Sequence, residues 1–318
     1  MRTVLLGLCA SLLVISDAEA ADLFADNSAE ILRGDTFSGE VFTGYLRTEV
    51  KEYVNDVGTR ARVSQLDWTT DAAVVGGRVA LQPLDWLAIR GRGWAAVASS
   101  ADMRDYDWLY GYAGKDSWSH YSHSPNTRTP KAWQIDVSAA ATFYEDEDAK
   151  VYAIAGYRAL TLKSNTTGGG YIYSQDSFRD TTGTFPNDRL GIAYQQWWQT
   201  PYVGVGTSFA FDDWSVSGEI IGSPFVIGRD KDHHALRSLV FREDFGLTGM
   251  IGASGSVEYR INPFLSAVGR VEYQHYFEAN GATRMTSGVT GVTRTIPAPS
   301  GSGSAETMLL SLGLKARL

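Results

Sequence analysis

Along much of this chain apolar and polar side chains alternate one by one, and a period of two leaves few folds open. From Leu265 the odd positions read Leu265, Ala267, Gly269, Val271 and Tyr273, against Ser266, Arg270, Glu272 and Gln274 on the even ones. Ile251, Ala253, Val257 and Tyr259 stand opposite Ser254, Ser256, Glu258 and Arg260 in the same way. Trp133, Ile135 and Val137 face away from Gln134, Asp136 and Ser138. The last stretch sets Leu310, Leu312, Leu314, Ala316 and Leu318 against Ser311, Gly313, Lys315 and Arg317. Successive side chains of a strand point to opposite faces, so each stretch is a strand with one apolar and one polar face. A barrel with lipid outside and polar side chains inside requires this pattern. A secreted β-sandwich shows the same period. The 9 Trp and 16 Tyr favour the barrel, because they suit aromatic girdles at the two membrane surfaces.

Ten strands are expected, near 39–54, 63–81, 86–98, 131–144, 150–163, 191–211, 214–228, 246–261, 264–277 and 306–318. Short turns fall at Gln82 to Asp85, Glu145 to Asp148, Asp212-Asp213 and Asn262-Pro263. Between them lie long polar connections at 99–130, 164–190, 229–245 and 278–305, with 55–62 the shortest link on that side. Short turns at one end and long loops at the other mark outer-membrane barrels, periplasmic and extracellular respectively. The expected fold is all-β, a ten-stranded antiparallel transmembrane β-barrel with long extracellular loops. About eight strands already leave little free lumen, so a wide diffusion pore is not expected. Trp86, Trp94, Trp133, Trp197 and Trp198 fall near strand ends, where a girdle would lie.

The first twenty residues read as a secretory signal: Arg2, the apolar run Val4 to Ile15, then Ala18-Glu19-Ala20. Cleavage after Ala20 leaves one domain, 21–318, and removes Cys9, the only cysteine. A cysteine-free exported chain fits a bacterial envelope protein without disulfides and excludes thiol catalysis. The full chain carries a formal charge of −8, with 28 basic and 36 acidic residues. That balance argues against nucleic acid as a partner, since phosphate contact needs clustered Lys and Arg. It suits cationic ligands.

Two clusters in the long connections carry possible chemistry. One is Arg104-Asp105-Tyr106-Asp107-Trp108; the other runs Arg229-Asp230-Lys231-Asp232-His233-His234 and holds two of the five histidines. Two carboxylates at i, i+2 in extended chain share a side, and close carboxylates can share a proton or hold a water. Asp232 and His234 have the same spacing, which lets the carboxylate orient the imidazole and stabilise its protonated form. An imidazole so placed can take a proton from water. Together the clusters describe a water-activating hydrolytic site, provided the strands bring them face to face. Solvated turn acids, and a divalent-metal site at Asp230 to His234, are the competing readings of these residues.

At these positions the chain resembles the omptin family of outer-membrane endopeptidases. The matching stretches are Ser64-Gln65-Leu66-Asp67-Trp68, Asp105-Tyr106-Asp107-Trp108, Gly169-Gly170-Tyr171-Ile172-Tyr173-Ser174, Phe178-Arg179-Asp180, Phe185-Pro186-Asn187 and Pro201-Tyr202-Val203-Gly204, with Asp230, Asp232 and His234. The resemblance implies that Asp105 and Asp107 position the attacking water and that His234 is the general base oriented by Asp232. It implies cleavage beside Arg or Lys, often between two basic residues, with Asp230 and Glu52 binding the P1 side chain; Glu49 fits if the first strand is bulged. No metal or other cofactor is implied. Lipopolysaccharide dependence is a family property, but the basic positions that serve it fall at Thr161 and Trp197 here. Lys231, His233 and His120 also depart from the family pattern, as does the terminal Leu318. The expected partners are cationic peptides or proteins and outer-membrane lipid, with the chain a monomer. The alternative function is a non-enzymatic surface adhesin or invasin on the same barrel.

Overall fold

The computed structural model describes residues 36–109 and 117–317. Its strands are β1 (Phe37–Asn55), β2 (Arg62–Leu84), β3 (Leu87–Asp107), β4 (His120–Glu145), β5 (Ala149–Thr167), β6 (Gly170–Tyr173), β7 (Thr181–Thr184), β8 (Leu190–Phe211), β9 (Trp214–His234), β10 (Leu239–Asn262), β11 (Leu265–Ser287) and β12 (Thr293–Arg317). Ten of them pair antiparallel in a ring. β1 joins β12 through Ser38↔Arg317 to Val54↔Gly301, and β3 joins β4 to close the circuit. The remaining two form a small hairpin, β6–β7, laid on the upper end of β4. The signal segment and Leu318 lie outside the described residues.

The two faces separate as the alternation requires. Val41, Ile135, Val137, Val203, Ile220, Ile251, Leu312 and Leu314 are open on the outside. Gln134, Asp136, Ser266, Glu272, Gln274 and Arg317 are buried inside. Along β1 the outer face changes from Val41 and Tyr45 to Arg47 and Glu49, and along β9 from Phe225 and Ile227 to Arg229 and Lys231. The apolar band therefore ends part-way up both strands.

Two expectations need correction. The ten ring strands run 19–26 residues, about twice the 9–11 that cross a membrane. Most of 99–130, 229–245 and 278–305 is consequently strand, and the shortest upper link is the four residues 235–238 rather than 55–62. Beyond the apolar band both faces are polar, so the hydrophobic contrast fades while the backbone ladder continues. Trp94 and Trp198 point into the barrel, 4% and 0% exposed, and form part of its core rather than a girdle. Trp86 does face outward, and Trp214 packs on Tyr259 at the lower rim with ring centres 4.7 Å apart.

The lower lumen is filled by ion pairs. Arg78 reaches Glu272 at 2.7 Å and also pairs with Glu40; Arg92 pairs with Glu272; Arg158 binds Asp136 at 2.7 Å; Arg90 binds Glu219 at 2.5 Å. Tyr202 donates to Asp136 at 2.8 Å and Tyr152 to Glu219 at 3.0 Å. A cavity of about 330 Å³ remains among these groups. Pro201 and Pro224 occur where the β8–β9 register slips, at Gln199/Val203, a place where a missing N–H breaks no ladder bond.

Candidate active site

The upper half of the barrel gathers the acids. In β3, Asp105 and Asp107 share the inner face, and Ser64, the register partner of Asp107 on β2, lies close enough to both carboxyls to favour their ionised forms. Burial raises Asp105 well above the ordinary carboxyl range, and the negative Asp107 adds to it. Asp107 is raised too, by burial, with Ser64 and then His120 opposing. Two carboxyls so close and so buried can share a proton.

In β9, Asp230, Asp232 and His234 lie on the inner face in succession, while Lys231 and His233 point outward. The His234 imidazole donates through Nε2 to Asp232 Oδ2, and the edge of Phe241 packs on the ring, centroids 5.4 Å apart. His234 is close enough across the mouth to lower Asp107, and Asp232 close enough to raise Asp105. The two clusters therefore face one another. Arg237, from the 3-10 turn Ala235–Arg237 that follows, lies against the His234 ring and draws both couple carboxyls downward.

Beside them is a second acid group. Glu52, 3% exposed, projects inward from β1, whereas Glu49 points out beside Arg47. β1 has no bulge against β12. Asp230, 4% exposed, accepts a hydrogen bond from Tyr194 Oη at 3.0 Å and from the Glu243 N–H at 3.1 Å. Tyr194 is fixed by Gln196 at 2.7 Å and stacks on Trp68, 5.4 Å between centroids. Glu243, opposite Asp230 in β10, accepts from Thr283 Oγ1 at 2.7 Å. Burial pushes Glu52 and Asp230 well up and Glu243 to about 7. Their mutual repulsion adds to the first two. One carboxylate oxygen on each of Glu52, Asp105, Asp232 and Glu243 is buried without a hydrogen-bond partner. On β12, Gly301 makes room: a Cβ there would stand 2.0 Å from the Glu243 carboxyl.

Glu52, Asp105, Asp107, Asp230 and Asp232 thus meet in one cleft, on strand ends instead of loops, while Glu49 stands outside it. Glu243 was missed. Within Arg242-Glu243-Asp244 it reads as part of a solvated charge run, and only the extension of β10 up to Leu239 sets it opposite Asp230.

The far end of the cleft is aromatic. His120, the register partner of Asp107, lies beside Tyr173, with Tyr171 and Phe185 beyond; successive ring centres are 4.9, 4.5 and 5.1 Å apart. The Tyr173 hydroxyl is pushed up to about 12 by burial and by Asp105 and Asp107. The hairpin that carries these rings is fastened to β4. Gly168 and Gly169 take positive φ, 64° and 103°, where a Cβ on Gly169 would strike the His123 carbonyl at 2.2 Å. Ser174 donates to Ser119 O at 2.7 Å, and Arg179 donates to Trp118 O at 2.9 Å while lying 3.3 Å from the centre of the Trp118 ring.

The family model of the Omptin family matches residues 33–318. The chain is 28% identical to the plasminogen activator of Yersinia pestis over 89% of its own length and 90% of that protein's. It is 32% identical to the outer membrane protease OmpP of Escherichia coli strain K12, over 83% of each chain. Its fold is similar to the crystal structure of the outer membrane protease OmpT from Escherichia coli, with TM-score 0.84, 22% identity and coverage of 89% and 96% of the two chains. The chain belongs to the omptin family of outer-membrane proteases, and its place is the bacterial outer membrane.

Proposed function

We propose that this protein is an endopeptidase that hydrolyses peptide bonds beside Arg or Lys, with its cleft on the outer side of the membrane. The observation that carries this reading is the group of buried carboxyls Glu52, Asp230 and Glu243 beside the dyad, which make no ion pair among the described residues and so suit a guanidinium or ammonium group. Glu52, Asp230 and Glu243 form the P1 pocket. Asp105 and Asp107 hold the water between them. His234 removes its proton as the oxygen bonds to the scissile carbonyl carbon, and Asp232 stabilises the imidazolium. The proton then passes to the leaving amide nitrogen as the C–N bond breaks. Omptin relatives named as proteases support the peptidase class.

The activator position reads differently from the family pattern. Thr161 lies in register between Trp133 and Trp197 on the outer face, so this row offers rings instead of cations. Activity independent of added lipopolysaccharide follows, and a rise of tenfold or more on its addition to refolded protein would contradict it.

The test of the main reading is cleavage of an Arg-Arg or Lys-Arg fluorogenic peptide by refolded protein. His234→Ala, Asp232→Ala and Asp105→Ala each lower the rate by roughly 10²–10⁴-fold in a folded barrel. Full activity of His234→Ala sinks the mechanism. EDTA and a serine-protease inhibitor leave the rate unchanged; loss with EDTA would revive a metal-dependent reading. A folded barrel that cleaves no basic peptide favours the adhesin instead.

A further inference from the structure

The acid pocket occupies the part of the cleft formed by β1, β9, β10 and β12, and the couple stands on β3. A peptide whose P1 side chain enters that pocket passes the dyad and the couple, then runs over β4 and the β6–β7 hairpin. That end has a different chemistry. Residues 120–124, 170–173 and 181–185 contain no Asp, Glu, Lys or Arg. Instead they present Tyr173, Tyr171 and Phe185 in a continuous row beside His120, each ring half-buried with a side still open. Tyr171 lies across Gly183, where an added Cβ would meet its hydroxyl at 2.3 Å, so the row is seated closely on the hairpin.

We propose that the Tyr173–Tyr171–Phe185 row, with His120, is the leaving-group-side subsite and takes an aromatic or large apolar side chain from the two residues after the scissile bond. The assignment rests on the endopeptidase reading above. It narrows that reading, because a second basic residue beyond the couple finds no carboxylate on the described segments 120–124, 170–173 and 181–185. Flat rings stack face to edge or offset with substrate rings at 4.5–7 Å, worth a few-fold to about tenfold per contact beyond the area buried. An arginine there gains only cation–π contact, without the ion pair that holds P1.

The experiment uses refolded full-length barrel and peptides with Arg at P1. The first and second residues after the bond are varied one at a time among Phe, Leu, Ala, Lys and Asp. In at least one of the two positions kcat/KM for Phe or Leu exceeds that for Lys by about tenfold. Tyr173→Ala reduces that ratio below about threefold, while its preference for Arg over Ala at P1 is unchanged. Tyr173→Phe keeps the wild-type ratio, since the ring and not the hydroxyl carries it. Preference for Lys at both positions overturns the assignment, as does a ratio untouched by Tyr173→Ala or lost equally in Tyr173→Phe. Loss of Arg preference at P1 in the wild type instead overturns the pocket. Equilibrium binding of blocked Arg-Phe-Phe and Arg-Lys-Lys peptides to wild type and Tyr173→Ala, read by anisotropy, decides the assignment even in a barrel that cleaves nothing. Equal affinities overturn it.

Discussion

The lower lumen and the upper cleft bury the same kind of side chain and treat it in opposite ways. Below, Glu272 meets Arg78 and Arg92, Asp136 meets Arg158, and Glu219 meets Arg90. Above, Glu52, Asp230 and Glu243 face one another, and oxygens of Glu52 and Glu243 have no partner. A buried charge is tolerable when paired and hydrogen-bonded; unpaired, it shifts its protonation or waits for a counter-ion. The lower set holds the barrel together. The upper set is destabilising by itself, and on the proposed function an entering cationic side chain would relieve it.

The contrast can be broken from either side. The largest effect is expected below: Glu272→Gln leaves Arg78 and Arg92 facing one another and costs roughly 3–5 kcal/mol. Thermal unfolding of the refolded barrel measures it, and activity per folded molecule at low temperature stays within twofold. The matching change above, Glu52→Gln, leaves the melting temperature equal or higher and lowers kcat/KM for an Arg-P1 peptide by roughly 10–100-fold. If Glu52→Gln destabilised as strongly as Glu272→Gln, the distinction between the two regions would be wrong.

Acidity gives a smaller effect with a definite sign. Glu243 rises from an ordinary 4.5 to about 7 on folding, so between those values the native state holds more protons than the unfolded one. Its contribution is therefore most favourable below pH 4.5 and is lost as pH rises to about 7. The melting temperature rises on acidification from pH 8 to pH 5, and Glu243→Gln flattens part of that slope. A bound cation opposes the trend, since it favours the ionised carboxylate. The smallest effect belongs to Glu49→Gln, on the outer face beside Arg47, with less than a twofold change in kcat/KM.

The barrel was readable because lipid and lumen impose opposite polarity on alternate residues, as in Leu265–Gln274. Where both faces of the strand are polar, that contrast goes, which is why β9 was expected to stop at 228 when it continues to His234. The chemistry was readable from i, i+2 spacing, since Asp105 with Asp107 and Asp232 with His234 share a face in any extended stretch. Partnerships across strands were not. Glu243 with Asp230 and His120 with Asp107 depend on register, and nothing local in Arg242-Glu243-Asp244 or Ser119-His120-Tyr121 encodes it.

The extension of the strands above the apolar band bears on how binding energy is used. Glu52, Asp105, Asp107, Asp230, Asp232, His234 and Glu243 all ride on hydrogen-bonded ladders whose strands continue into the lower barrel past local register shifts. A site on such a frame has little backbone entropy left to lose when a peptide arrives. Repulsion among its acids is stored in place rather than relieved by opening. On the proposed function, discrimination at these strand-borne acids would rest on preorganised charge that relaxes when a cationic side chain docks.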